Sequence, residues 1–294
     1  MSASDAAAAA AALASRNATE AAIKRNPHGD FGAVEAGRPD WDAAAAPHFS
    51  KAPAPGWQWG QGGNDGGASL AKAHGQRRSA RTRTTGPADG SAANLAPFSY
   101  TNVVNHDPPI FTIGIVGGLA NAKDSLANLA ATGECVLNIV SEHFIEAANA
   151  TSVNAPYGVS EWALTGLHKA PTTHVKPARI QEAIVAIECK VVELKEFESR
   201  ANPGKKSGTL IILEGVNFWV REDAINEEQN LIDPDVLRPV GRLGGITYSR
   251  NNEVYEMLRP TFDSVKKGGE RTRAAEGGVC QELDTACFFP YKFT

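Results

Sequence analysis

The pattern of apolar and polar positions changes at about residue 93. Before that point large apolar side chains are sparse, and Ala, Gly and Pro are frequent. After it, apolar runs of strand length alternate with short polar segments that have turn chemistry. Four of these runs are predicted to be β-strands: 110–118, 134–141, 184–197 and 208–223.

Short helices are predicted between the strands. The segment 123–133 has apolar residues at helical spacing, Asp124 or Ser125 can cap its start, and Gly133 suits the position after its end. Helices are also predicted at 142–152 and 234–237. Asn-Pro-Gly at 202–204 predicts a hairpin between the last two strands. The fold class is therefore mainly β with helical insertions, an antiparallel barrel or sandwich.

The same pattern divides the chain into three parts. Residues 1–90 are predicted to form an extended N-terminal arm of low order, in which Trp57 and Trp59 dock onto the domain surface. Residues 91–262 form the folded domain, and residues 263–294 a poorly ordered C-terminal tail.

Composition excludes several classes of function. A net charge of −4 argues against general nucleic-acid affinity, and no apolar run approaches the roughly 18 residues that span a membrane. The start of the chain lacks the features of a secretory signal, and the four cysteines include no C-x-x-C pair, so we expect a cytoplasmic protein without a zinc site. Cys135 and Cys189 lie in apolar runs and are expected to be buried, inert thiols.

The candidate chemistry centres on the segment that opens the 123–133 helix. A strand, glycines and a helix suggest a dinucleotide site, but Gly114, Gly117 and Gly118 do not have the G-x-G-x-x-G spacing. A helix start beside Lys123 and Ser125 favours a phosphate monoester instead. A capped surface helix without a ligand remains the alternative.

A polar run supports the phosphate interpretation. Residues 94–102 supply short polar groups around Phe98, and Pro97 removes a backbone donor, which indicates a bend instead of a regular central strand. Such an irregular strand can present N–H and C=O groups to a flat ring. Residues 106–109 are predicted to form a turn.

Four segments together resemble the flavin reductase-like, FMN-binding split-barrel family. They are "NLAPFSYTNVVNHDPPIFTIGI", "KDSLANLAATGECVLNIVSE", "EAANATSVNAPYGVSEWALTGL" and "LRPVGRLGGITY", in order between about Ala93 and Pro260. The resemblance implies a six-stranded antiparallel split barrel, a homodimer with FMN at the subunit interface, and NAD(P)H as electron donor. No catalytic side chain is assigned, because the flavin carries the redox chemistry.

The resemblance also implies the cofactor-binding residues. Those of the polar run and the helix start are Asn94, Ala96, Pro97, Phe98, Ser99, Lys123, Asp124, Ser125 and Asn128. Those near the cofactor or the dimer contact are Asn149, Ser152, Arg242 and Gly244.

One segment departs from the family pattern. Where the family has an apolar strand, residues 76–86 contain Arg77, Arg78, Arg81 and Arg83, which cannot face a barrel interior unpaired. One barrel strand is therefore missing or replaced. The segment is a basic linker beside an incomplete barrel, an edge strand over 81–85, or a nucleic-acid arm.

These observations lead to one main functional hypothesis and one alternative. The main hypothesis is an FMN-binding oxidoreductase that transfers hydride from NAD(P)H to flavin. The alternative is a non-catalytic flavin-binding or dimerising split-barrel protein whose FMN binding is impaired by the absent strand.

Overall fold

A computed structural model of the chain describes residues 28–40, 50–76, 83–85, 93–153, 155, 159–244, 246–251 and 253–257. The described residues fall into two units. The small unit contains 28–40 and 255–257, and the main unit contains the described residues of 50–254.

The predicted strands and helices are present in the predicted order, among further short elements. The strands are β1 (His74–Gln76), β2 (Arg83–Thr85), β3 (Asn94–Ala96), β4 (Thr101–His106), β5 (Pro109–Val116), β6 (Glu134–Asn138), β7 (Lys169–Ala170), β8 (Arg179–Ile180), β9 (Val185–Glu198), β10 (Lys206–Arg221), β11 (Val240–Gly244) and β12 (Thr247–Arg250). The α-helices are α1 (Phe31–Ala36), α2 (Asp124–Thr132), α3 (Ile145–Ala150), α4 (Glu161–Thr165) and α5 (Pro234–Leu237).

The main sheet is antiparallel throughout. Its strand order is β3-β2-β6-β9-β10-β5-β4, and β1 pairs with the far end of β10. Two small hairpins, β7–β8 and β11–β12, lie outside it. The predicted fold class, mainly β with helical insertions, is confirmed, and the turn predicted at 106–109 joins β4 to β5.

The longest hairpin, β9–β10, supplies the centre of the sheet. The first half of β9 is buried on both faces: Ile187 and Cys189 pack in the main core, while Ala186 packs with Val136 and Val175 on the other side. The two sets of contacts follow from strand geometry, in which successive side chains point to opposite faces. Beyond Cys189 the strand becomes largely exposed as it leaves the core.

Helix α2 covers the main core with Leu126 and Leu129. It ends at Gly133, whose φ of 66° is the left-handed conformation that glycine adopts without strain, as predicted. The predicted cap is wrong, however. Lys123 is the N-cap residue, and neither Asp124 nor Ser125 caps the helix with its side chain.

The arginine-rich segment contributes a strand to the sheet. The backbone of β2 pairs with β3 on one side and with β6 on the other, where Thr84 lies opposite Val136. Among the described residues, Arg83–Thr85 fill the position next to β6. The linker interpretation does not hold for Arg83–Thr85, and the strand is internal instead of an edge strand; residues 77–82 and 86–92 lie outside the described residues.

Part of the predicted arm packs onto the main unit. Trp57 packs against the core around Phe144 and Trp162, and its Nε1 donates to the carbonyl of Gly62 at 2.8 Å. The predicted docking is confirmed for Trp57 but not for Trp59, which is 60% exposed. The domain boundaries near residues 91 and 262 stay a prediction.

The described residues contain neither a helix suited to a membrane nor a cluster of metal-binding side chains. None of the helices in this part of the chain is both long and apolar enough to cross a membrane. No group of three or more His, Cys, Asp or Glu side chains there is arranged to hold a metal ion.

Candidate functional site

The polar run and the start of α2 meet in the structure. The side-chain amide of Asn94, the first residue of β3, donates a hydrogen bond to the hydroxyl of Ser125 at 2.6 Å. Both residues are buried. The two segments that the sequence assigns to one pocket therefore share one polar contact.

Strand alternation explains this contact. Successive side chains of a strand point to opposite faces, and Leu95 packs into the core around Phe144 and Trp162. Asn94 therefore points the other way, towards α2. The short strand ends at Ala96, before Pro97, and the chain bends at Ser99 and Tyr100. The prediction that no regular strand runs through Pro97 is therefore confirmed.

The bend leaves the later residues of the polar run 94–102, called the ribbon from here on, in different environments. Phe98 packs against the main core, while Ser99 is exposed and its carbonyl accepts a bond from Thr101 at 2.9 Å. The backbone of Tyr100 bonds to Gly114 on β5 at 2.8 Å, yet the side chain is 71% exposed. The ribbon thus joins the buried Asn94 contact to an open surface.

The start of α2 combines donors with one carboxylate. The N–H groups of Leu126 and Ala127 both bond to the carbonyl of Lys123, and no side chain caps the helix. The first N–H groups of a helix have no partner within it and attract anions. Lys123 is exposed, Asp124 is half-buried, and Ser125 and Asn128 are buried.

Sequence reasoning missed a buried carboxylate beside the ribbon. Glu161, the first residue of α4, accepts a hydrogen bond on Oε2 from the N–H of Leu95 at 3.0 Å. The preceding Ser160 donates its hydroxyl to the carbonyl of Ala93 at 2.7 Å. Burial is the main cause that raises the pKa of Glu161, and the nearby Asp124 raises it further, while the bond from Leu95 opposes both.

The sequence held a weak signal for this residue. Ser-Glu before Trp162 reads as an ordinary helix start, because Ser caps helices and Glu suits their first turn. Nothing in that pattern shows that the carboxylate leaves the helix to bind a distant strand. Only the packing of α4 against β3 brings them together.

The second group of predicted residues forms a separate cluster on α3 and the β11–β12 hairpin. The hydroxyl of Tyr248 donates to Oδ1 of Asn149 at 2.8 Å and accepts from Arg242 at 2.9 Å. The guanidinium of Arg242 also stacks on the Tyr248 ring, 4.8 Å from its centroid. Ser152 donates to the carbonyl of Asn149 at 2.7 Å.

The hairpin tip beside this cluster is exposed and apolar. Gly244 has a φ of 112°, which permits the tight turn. Leu243 is 69% exposed and Ile246 is 94% exposed. Tyr248, which the sequence did not single out, connects the predicted residues Asn149 and Arg242.

Comparison with known proteins identifies the class of this fold and then the family. Component B of nitrilotriacetate monooxygenase from Bacillus cereus superposes with a TM-score of 0.55 at 26% identity, covering 60% of this chain and 85% of that one. The 2-nitrobenzoate 2-nitroreductase NbaA of Pseudomonas fluorescens gives a TM-score of 0.53 at 30% identity, covering 62% and 84%. A flavin reductase with a split barrel domain from Shewanella frigidimarina gives 0.52 at 20% identity, covering 64% and 86%, and supports the split-barrel fold.

Comparison of the sequence with known families and relatives agrees with the comparison of structures. Residues 82–238 match the family described as "Flavin reductase like domain". The uncharacterized protein YwrF of Bacillus subtilis is 33% identical over 172 residues, 58% of this chain and 83% of that protein. The chain belongs to the flavin reductase-like family, so the resemblance found in the sequence is confirmed.

Proposed function

We propose that this protein is a flavin-dependent oxidoreductase that binds FMN where the β3 ribbon meets the start of α2. The observation that carries the proposal is the bond between Asn94 and Ser125, which brings the predicted ring-binding and phosphate-binding segments together. Membership of the flavin reductase-like family supports it. The functions named for the similar monooxygenase component and nitroreductase are consistent with it.

The chemistry of the donor set fits this ligand. A phosphate needs hydrogen-bond donors and positive charge, and the start of α2 offers unpaired N–H groups, the Ser125 hydroxyl and the Lys123 ammonium. Asn94 and Asn128 are amides that can bond to the hydroxyls of a ribityl chain. Asp124 would repel a phosphate but accept bonds from those hydroxyls, so we assign it to the ribityl side.

The ribbon would hold the ring. Backbone groups of Ala96, Pro97 and Ser99 lie along its bend, beside the partly buried Phe98. FMN, when bound, supplies the redox chemistry, and the protein binds and orients it. We propose NAD(P)H as the electron donor and assign no catalytic side chain.

The proposal includes a homodimer in which the β11–β12 hairpin contacts a second copy. Ile246 and Leu243 form an exposed apolar tip, and such patches mark interaction sites. Asn149, Ser152, Arg242 and Gly244 belong to the same region, so we propose that they serve this contact or the partner's flavin.

An FMN titration tests the flavin proposal. We expect the purified chain to quench FMN fluorescence on binding, and Ser125→Ala to weaken the affinity about tenfold, because one hydroxyl partner is lost. Ser207→Ala, an exposed serine on β10, is the matched control and should bind as wild type does. No quenching by the wild-type protein would refute the proposal.

Sedimentation tests the dimer. Wild-type protein should have the mass of two chains, and Ile246→Asp should shift it to one chain because the charge cannot be buried unpaired. Val192→Asp places the same charge at another exposed apolar position, 58% exposed on β9, and should leave the dimer intact. A single-chain mass for the wild type rules out this contact.

One observation favours a second function, a flavin-binding protein without turnover. Within the described residues, β2 pairs with β6 at one position, Thr84 opposite Val136, so little of this wall is held by backbone pairing. This alternative predicts bound FMN without oxidation of NADH or NADPH. An absorbance assay of nicotinamide oxidation with excess FMN separates the two.

A further inference from the structure

Glu161 occupies a position that a neighbouring strand would otherwise fill. Strand β3 ends the main sheet, with β2 on one side and no further strand of the described sheet on the other. Leu95, the middle residue of β3, is 2% exposed. A buried N–H on that side needs an acceptor, and Oε2 of Glu161 accepts this bond at 3.0 Å.

A second contact from the same turn fixes the ribbon further. The hydroxyl of Ser160 bonds to the carbonyl of Ala93 at 2.7 Å. Two consecutive residues of the α4 start therefore bind two backbone groups separated by one residue, Asn94. The side chain of Asn94 is bonded on the opposite side to Ser125.

We propose that Glu161 is a positioning residue of the flavin site, which sets the ribbon so that Asn94 meets Ser125. The inference rests on the proposed function. Glu161 acts through the backbone of Leu95, and the ligand contacts are made by the residues that it positions. When its bond is lost, β3 can shift along α4 and the Asn94 amide no longer holds the Ser125 hydroxyl.

The role needs an acceptor at the correct reach and does not need a charge. Glutamine keeps the side-chain length and an acceptor oxygen, and it removes the like charge near Asp124. Aspartate keeps the charge but is one methylene shorter. A positioning role therefore predicts that Gln preserves the function and Asp does not, whereas an electrostatic role predicts the reverse.

The test compares FMN affinity and backbone protection in full-length variants. We expect Glu161→Ala and Glu161→Asp to weaken FMN binding about tenfold, the effect of losing one well-placed bond, and Glu161→Gln to stay within about twofold of wild type. Hydrogen exchange at the Leu95 amide without FMN should quicken in the Ala and Asp variants and stay slow in the Gln variant.

Control variants separate this effect from general loss of stability. Glu188→Gln alters another buried carboxylate, on β9 and outside the proposed site, and should lower stability without changing FMN affinity. If Glu161→Ala fails to fold, the comparison of Gln with Asp still decides. Wild-type protein that binds no FMN overturns the proposed function; wild-type binding with equal affinity in the Asp and Gln variants overturns the positioning role alone.

Discussion

Two buried glutamates in different regions of the main unit have pKa values that move in opposite directions. Glu161 lies beside the candidate flavin site, and Glu188 lies on β9, in the centre of the sheet; they are 5% and 0% exposed. The pKa of Glu161 is raised and that of Glu188 is lowered. Burial penalises the ionised form of both, so burial alone does not explain the difference.

The number of hydrogen-bond donors explains why the two pKa values move in opposite directions. The carboxylate of Glu188 accepts bonds from three backbone N–H groups and two side chains: Thr173, His174, Val175, Asn217 and Trp219. These bonds outweigh the burial penalty and lower the pKa. The guanidinium of Arg179, stacked 4.7 Å from the Trp219 ring centroid, adds a positive charge nearby.

The region of Glu161 is built differently. Its carboxylate has one bond from another residue, the N–H of Leu95, and a like charge on Asp124 nearby. The sheet centre satisfies its buried charge fully, whereas the site region keeps a carboxylate that is held in place but poorly compensated. A buried charge with few hydrogen-bond donors lowers stability locally. Functional sites often contain such groups, and the stability of the rest of the fold offsets the loss.

The largest expected effect is on the stability of the sheet centre. Glu188→Gln replaces one carboxylate oxygen with an NH₂ group, which cannot accept the hydrogen bonds that the surrounding N–H groups donate. It also removes the negative charge near Arg179. We expect the free energy of unfolding to fall by about 3 kcal/mol, in the range found when one partner of a buried ionic network is lost. Denaturant unfolding followed by tryptophan fluorescence measures it.

A neighbouring glutamate on the same strand is the control. Glu193 is exposed on β9, and Glu193→Gln should change the unfolding free energy by less than about 0.5 kcal/mol. FMN affinity should be the same in both variants. A loss of flavin binding by folded Glu188→Gln protein would mean that the two regions are coupled and that the contrast drawn between them is wrong.

The sequence predicts the sheet well because its signals are local. Apolar runs, the Asn-Pro-Gly turn and Gly133 each report on a few adjacent residues, and β5, α2, β6, β9 and β10 formed where these signals placed them. The segment around Arg83 was harder. Its composition opposes a central strand, and pairing with the distant β6, where Thr84 lies opposite Val136, places it inside the sheet beside β3.

The candidate site was also predictable only where its residues belong to local sequence patterns. Asn94 and Ser125 were found because the polar run and the helix start each have recognisable local chemistry. Glu161 and Tyr248 were missed because their roles depend on contacts across 66 and 99 residues of chain. The cap of α2 was mispredicted because Ser125 bonds to Asn94 instead of its own helix.

The subtlest expected effect is a difference in how pH changes the stability of two variants. A glutamate whose folded-state pKa lies above the ordinary 4.5 stabilises the fold below that pH and loses this contribution as the pH rises. Glu161 is such a group, so the stability of Glu161→Gln relative to wild type should improve from about pH 4 to about pH 7.

Glu188 should behave in the opposite way. Its folded-state pKa lies below 4.5, so its contribution is present above that pH and is lost as the pH falls through the folded-state value. The deficit of Glu188→Gln relative to wild type should therefore be largest near pH 7 and shrink in acid. Unfolding free energies of the three proteins at matched pH values give two difference curves of opposite slope. A Glu188→Gln curve that rises with pH would show that the donors around Glu188 do not offset its burial, and a Glu161→Gln curve that falls would show that burial does not dominate at Glu161; either would remove the distinction between the sheet centre and the site.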